Sequence, residues 1–266
     1  MVVGLFAKGG MTPMKSIYAN LRRYACKLVA QLPLPDFYQN YHDAHLTSRY
    51  LFETHPIITE LRRFTEIQLE DDFGHGIKHA IKVTLDSGAL MCIEGRRLGF
   101  REEIVLRKVL LAQCAGLLHD TKRKSENHAV AGAAFARQIL TAYPLRSHEI
   151  DDICWAIRNH EAFQNMAGIA AAESLVISDC LYDADKFRWG PDNFTDTVWK
   201  MVSFYDPPLS VFLSHYPKGI ASIRKIRSTF RSNTGKKYGP QFIDMGLAVG
   251  EELYEFIRNN FIVPQR

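Results

Sequence analysis

Two adjacent residues, His119 and Asp120, close the most uniformly apolar stretch of the chain, IVLRKVLLAQCAGLL at 104–118, where Arg107 and Lys108 are the only charges. A helix apolar almost all round packs against neighbours on most sides. Two ionisable groups at its end need partners, because unpaired burial costs a few kcal/mol. A metal ion satisfies both at once. Four more residues of ligand type are spread along the chain: His79 in HGIKHAIKV, His128 in NHAVAGAAFARQIL, His160 in DDICWAIRNHEAF and Asp185 in LVISDCLYDADKF. Imidazole and carboxylate donors suit a hard or borderline divalent ion.

The elements that must carry these residues read as helices. Apolar residues recur at three- and four-residue spacing over 58–70, 76–95, 102–118, 128–142, 147–160, 172–188, 194–204, 218–231 and 240–260. Gly99, Asn127, Tyr143-Pro144, Trp189-Gly190-Pro191 and Asp206-Pro207-Pro208 supply the breaks between them. Strand-like alternation is nearly absent, so the expected fold is all-α: a multi-helix bundle whose core gathers side chains from facing helices. We expect an N-terminal helical extension at 1–57, a metal-binding core at 58–191 and C-terminal helices packed on it at 192–266.

Composition narrows the setting. Hydrophobic residues make up 47% and charged residues 23% of 266, which is ordinary for a soluble globular protein. No apolar run reaches the roughly 18 residues of a membrane span, and the first residues do not read as a secretory signal. The five scattered cysteines lack any CxxC pairing, which predicts reduced, buried thiols, a cytoplasmic location and no thiolate zinc site. A net charge of +4 is too small to argue for nucleic-acid binding.

The order His, His-Asp, His, His, Asp on helices resembles the HD superfamily of metal-dependent phosphohydrolases. The likeness runs over about 70–190 and rests on HAIKV at 79–83, LLHD at 117–120 and DADKF at 183–187. It implies His79, His119, Asp120 and Asp185 as primary ligands, and His128 and His160 as the extra histidines of members that hold two metals. Asp185 is preferred to Asp183 by its Ala-Asp-Lys-Phe frame, with Asp179 and Asp183 in reserve. Asp120 has two oxygens and is the natural bridge between two ions. Lys122 and Arg123, in HDTKRK where many members carry Gly-Lys, and also Lys186, are the expected phosphate-holding cations. His128 follows Asp120 by only eight positions, so one ion or two stays open. The chain lacks the GYP segment of cyclic-di-GMP hydrolases and the acidic pair of ppGpp hydrolases, which argues against those substrates.

The implied activity is hydrolysis of a phosphate ester such as a nucleotide, because a bound divalent ion can bring the pKa of water from 15.7 to about 7. Manganese or iron is the expected metal, with magnesium, cobalt, nickel and zinc also compatible. Two other functions share the ligand order: a di-iron oxygenase, and a non-catalytic module that binds a nucleotide or a partner. A homodimer is compatible with the sequence. Each residue also has a plainer reading. His79 alone suits an amphipathic helix, His160 suits a helix C-terminus, and Asn127-His128 suits an N-cap with its first turn. Lys122 and Arg123 suit a solvated run. His75 is a candidate outer partner of His79, whereas His45 reads as a surface residue. The basic stretch 224–231 with Lys236 and Lys237 reads as an exposed face, or as an approach to an anionic ligand.

Overall fold

The computed structural model describes residues 16–69, 76–164 and 172–261. These form twelve α-helices and no strand among the described residues. In chain order they are α1 (Ser16–Ala30), α2 (Asp36–Asn40), α3 (His42–Thr54), α4 (Pro56–Gln68), α5 (Ile77–Arg97), α6 (Glu102–Leu118), α7 (His128–Leu140), α8 (Ser147–Arg158), α9 (Ala172–Phe187), α10 (Val198–Tyr205), α11 (Leu209–Ile226) and α12 (Asn233–Phe261). A short π-helical turn at Asn193–Thr197 precedes α10. No helix among the described residues is long and apolar enough to cross a membrane.

The apolar stretch at 104–118 becomes α6, and residues 108–118 are all buried. Glu102 and Glu103 sit in its first turn, where negative charge complements the helix dipole. Helix α5 packs on both α6 and α9, which also touch each other, and α8 touches both α6 and α9. Gly116 allows the first of these contacts, since a Cβ there would come within 2.7 Å of the Thr84 Cα on α5. One apolar cluster runs from Tyr18 on α1 to Ile257 on α12. Arg188 ties the N-terminal helices in, bonding to Tyr38 of α2, Asp86 of α5 and Asp192.

The C-terminal helices start earlier than their prolines suggest. Helix α11 begins at Leu209 rather than 218, and α12 at Asn233 rather than 240, with Pro217 and Pro240 inside them. A proline removes one backbone donor but leaves the helix standing where other contacts hold it. For α12 those contacts are carboxylates from other helices. Glu94 accepts from the Thr234 N–H at 2.8 Å, and Asp183 accepts from the Arg231 and Ser232 N–H groups at 2.8 Å each. Negative charge at the start of a helix also favours its dipole.

Other expectations change in detail. Helix α8 ends at Arg158, so His160 lies just beyond it. Asn127 occupies the N-cap position of α7 in a left-handed conformation, φ 54°, and its side chain makes no cap bond. Four cysteines are buried, but Cys26 is exposed. His45 is largely buried, 4.7 Å from the Phe37 ring, rather than a surface residue.

Candidate metal centre

Six residues of ligand type converge from five helix ends. His79 lies in the first turn of α5, His119 and Asp120 follow the last residue of α6, and His128 opens α7. His160 follows α8, and Asp185 lies in the last turn of α9. His119, Asp120 and His160 are at most 2% exposed.

Asp120 joins two sets of donors. Its Oδ2 is 3.4 Å from His119 Nε2 and 3.9 Å from His79 Nε2. His79 Nε2 in turn lies 3.3 Å from His119 Nε2 and 3.2 Å from Asp185 Oδ1. On the other side, Asp120 Oδ1 is 3.5 Å from His160 Nε2 and 3.8 Å from His128 Nε2. Donors about 2.1 Å from one ion stand roughly 3.0–4.2 Å apart. The spacings therefore fit a divalent ion in the His79–His119–Asp120 set and another in the Asp120–His128–His160 set, each set having its donor atoms within 4.8 Å of one another.

The far nitrogen of three rings is held from outside. His119 Nδ1–H donates to the Gly116 carbonyl at 2.8 Å, and His160 Nδ1–H to that of Ile157 at 2.6 Å. His128 Nδ1 pairs with Glu161 Oε1 at 2.7 Å. With Nδ1 carrying the proton, each Nε2 offers its lone pair inward, as ligating histidines require. Glu161 was missed in the sequence; its position one residue after His160 was the only available signal.

Electrostatics sort the same groups. Burial, the Arg123 guanidinium and His160 push the His128 imidazole down to about 3, so it stays neutral. Burial also opposes charge on His119, but the Asp120 and Asp185 carboxylates outweigh it and raise its pKa above 6.5. Asp185 is held well below the carboxylate range: burial works against this, and Lys186 and His79 overcome it.

The expected cations separate. Arg123 reaches the centre, its Nη1 donating to His128 Nε2 at 2.7 Å and lying 3.7 Å from Asp120 Oδ1. Lys186 Nζ donates to Asp185 Oδ2 at 2.5 Å. Lys122 is not brought to the donors; its ammonium lies over the Phe135 ring, 3.9 Å from the centroid. Asp183 faces away from the centre, because its carboxylate takes the backbone donors before α12. Asp179, pushed up to about 6 by burial, is not among the grouped donors. His75 lies outside the described residues.

The all-α frame gathers histidines and aspartates around a shared carboxylate, an arrangement compatible with a divalent metal. Residues 76–190 match the HD domain family model. Among solved structures the chain is similar to a protein described as a predicted HD superfamily hydrolase from an uncultured Thermotogales bacterium. The identity is 19%, over 79% of this chain and 92% of that one, with a TM-score of 0.44. No curated protein matches the sequence.

Proposed function

We propose that this protein is a metal-dependent phosphohydrolase acting on a nucleotide or a related phosphate ester. The observation that carries the reading is Asp120, which turns one oxygen toward His79 and His119 and the other toward His128 and His160. His79, His119, Asp120 and Asp185 would hold one divalent ion, and Asp120, His128 and His160 a second. Oxygen and imidazole donors favour manganese or iron. When bound, such an ion acidifies water toward neutral pH and offsets charge on phosphate oxygens.

The chain's own residues do the rest. The outer bonds to Gly116, Ile157 and Glu161 keep the histidine donors aimed. Arg123 and Lys186 flank the donors on opposite carboxylates and supply positive charge for the phosphate; the guanidinium fork suits two of its oxygens. Lys122 is given no part.

The test is hydrolysis of bis-p-nitrophenyl phosphate and a nucleotide panel by metal-stripped protein, with each metal returned in turn and Asp120→Ala as control. Metal-dependent turnover lost in the control supports the reading. Turnover that requires iron and dioxygen would replace it with an oxygenase, and the absence of bound metal would remove the centre altogether.

A further inference from the structure

Arg231 belongs to the link between α11 and α12, outside the stretch that matches the HD family, yet it is bonded to residues that are chain neighbours of two candidate donors. Its backbone N–H donates to Asp183 Oδ1 at 2.8 Å, two residues before Asp185. Its Nη1 donates to the Asn159 carbonyl at 2.7 Å, one residue before His160. Its Cζ lies 3.5 Å from the centroid of the Tyr182 ring, and Lys186 Nζ lies 5.0 Å from the same ring. The room at this point is guarded as well: a Cβ on Gly235 would collide with the Asp183 carboxylate that holds the Arg231 backbone.

A guanidinium has five N–H donors. Among the described residues only one donor of Arg231 is bonded, and no carboxylate forms an ion pair with it. Burial disfavours the charge and lowers its pKa, outweighing the pull of Tyr182, Asp179 and Asp183. A purely structural clasp on Tyr182 would explain the stacking. It would not explain a half-buried fork of spare donors whose one side-chain bond goes to the carbonyl just before His160. Spare donors on a fixed guanidinium suit an incoming oxyanion.

Contact with the donors separates the three cations. Arg123 and Lys186 touch the carboxylates of Asp120 and Asp185 directly. Arg231 touches no donor residue, only the backbone before His160. We propose that Arg231 binds a second phosphate of the substrate, beyond the one that is cleaved, so that the protein selects a phosphate ester bearing two phosphates, such as a nucleoside diphosphate or bisphosphate. This rests on the phosphohydrolase reading for the identity of the first phosphate. Arg231 is here a specificity residue that meets the distal end of the ligand.

Titration calorimetry of wild type, Arg231→Ala and Arg231→Lys, at constant free Mn²⁺, with inorganic phosphate and with pyrophosphate, tests the assignment. Wild type is expected to bind pyrophosphate at least about tenfold more tightly than phosphate, the equivalent of about one charge-assisted bond. Arg231→Ala should erase that margin while leaving phosphate affinity within about twofold, and Arg231→Lys should recover part of it. An unchanged margin in Arg231→Ala, equal weakening toward both anions, or no margin in wild type would each overturn the proposal. If Arg231→Ala erases the margin but wild type hydrolyses no ester, the second-phosphate site stands and the hydrolase reading falls.

Discussion

Glu161 grips His128: Oε1 lies 2.7 Å from Nδ1, on the side of the ring away from Asp120. Such an outer carboxylate fixes tautomer and orientation, and its loss typically costs about 10–100-fold in metal affinity. Glu161→Ala should therefore weaken one of two ions by that factor and leave the one at His79 and His119 nearly untouched. Metal titration with stoichiometry measured by elemental analysis checks this. Equal weakening of both ions would mean that Glu161 acts on the whole fold.

Arg123 and a second ion compete for one lone pair, because His128 Nε2 accepts from Arg123 Nη1 at 2.7 Å. Arg123→Ala should raise second-ion affinity and at the same time raise KM for a phosphate ester by about tenfold, the worth of a charge-assisted bond. Metal titration and steady-state kinetics read the two effects separately. Second-ion affinity that falls or stays unchanged in Arg123→Ala would exclude the competition.

The raised pKa of His119 sets a pH dependence for metal uptake. In the metal-free protein the imidazolium is held by Asp120 and Asp185, so it keeps its proton above pH 6.5. An ion must displace that proton, and affinity should rise with pH through the range above 6.5 and then level off. Calorimetric titration in buffers of different ionisation enthalpy should find about one proton released per first ion near the lower end of that range. A flat affinity across it would contradict the assignment.

Arg107 on α6 and Glu149 on α8 form a two-pronged pair, with both N–H···O bonds at 2.6 Å and a third bond from the Arg146 N–H at 2.8 Å. The Arg107 bonds hold the Glu149 carboxyl down to about 2, against burial. A depressed folded pKa means that the stabilisation is full above the unfolded value of 4.5 and is lost as pH falls toward 2. Glu149→Gln should cost about 1–3 kcal/mol at pH 7, and its deficit relative to wild type should shrink below pH 4.5. Urea unfolding of both proteins across this range is the check. A deficit independent of pH would point to shape rather than charge.

The sequence carries His119-Asp120 plainly because the signal is local: an ionisable pair at the end of a buried helix. Asp185 is singled out from Asp179 and Asp183 only by the Ala-Asp-Lys-Phe frame that the family resemblance supplies. Arg231 and Glu161 are harder to read. Arg231 earns its position from Asp183, 48 residues earlier, and from a carbonyl 72 residues earlier, and no periodicity records such pairings. The starts of α11 and α12 were misjudged for a related reason. Local rules weigh Pro217 and Pro240, whereas the carboxylates that hold α12 come from α5 and α9. Lys122 shows the limit of adjacency: two residues beyond Asp120, it turns to an aromatic ring instead.

The carboxylates of Glu94 and Asp183 have a consequence for synthesis. On the ribosome the HD segment emerges first, with Asp183 waiting 49 residues for the Ser232 N–H and Glu94 waiting 140 for Thr234. At 5–20 residues per second the shorter wait lasts roughly 2–10 s. During it, α9 carries a carboxylate with its backbone donors still missing, two positions from Asp185. The six candidate donor residues are thus all synthesised before the helix whose first turn neutralises these two carboxylates.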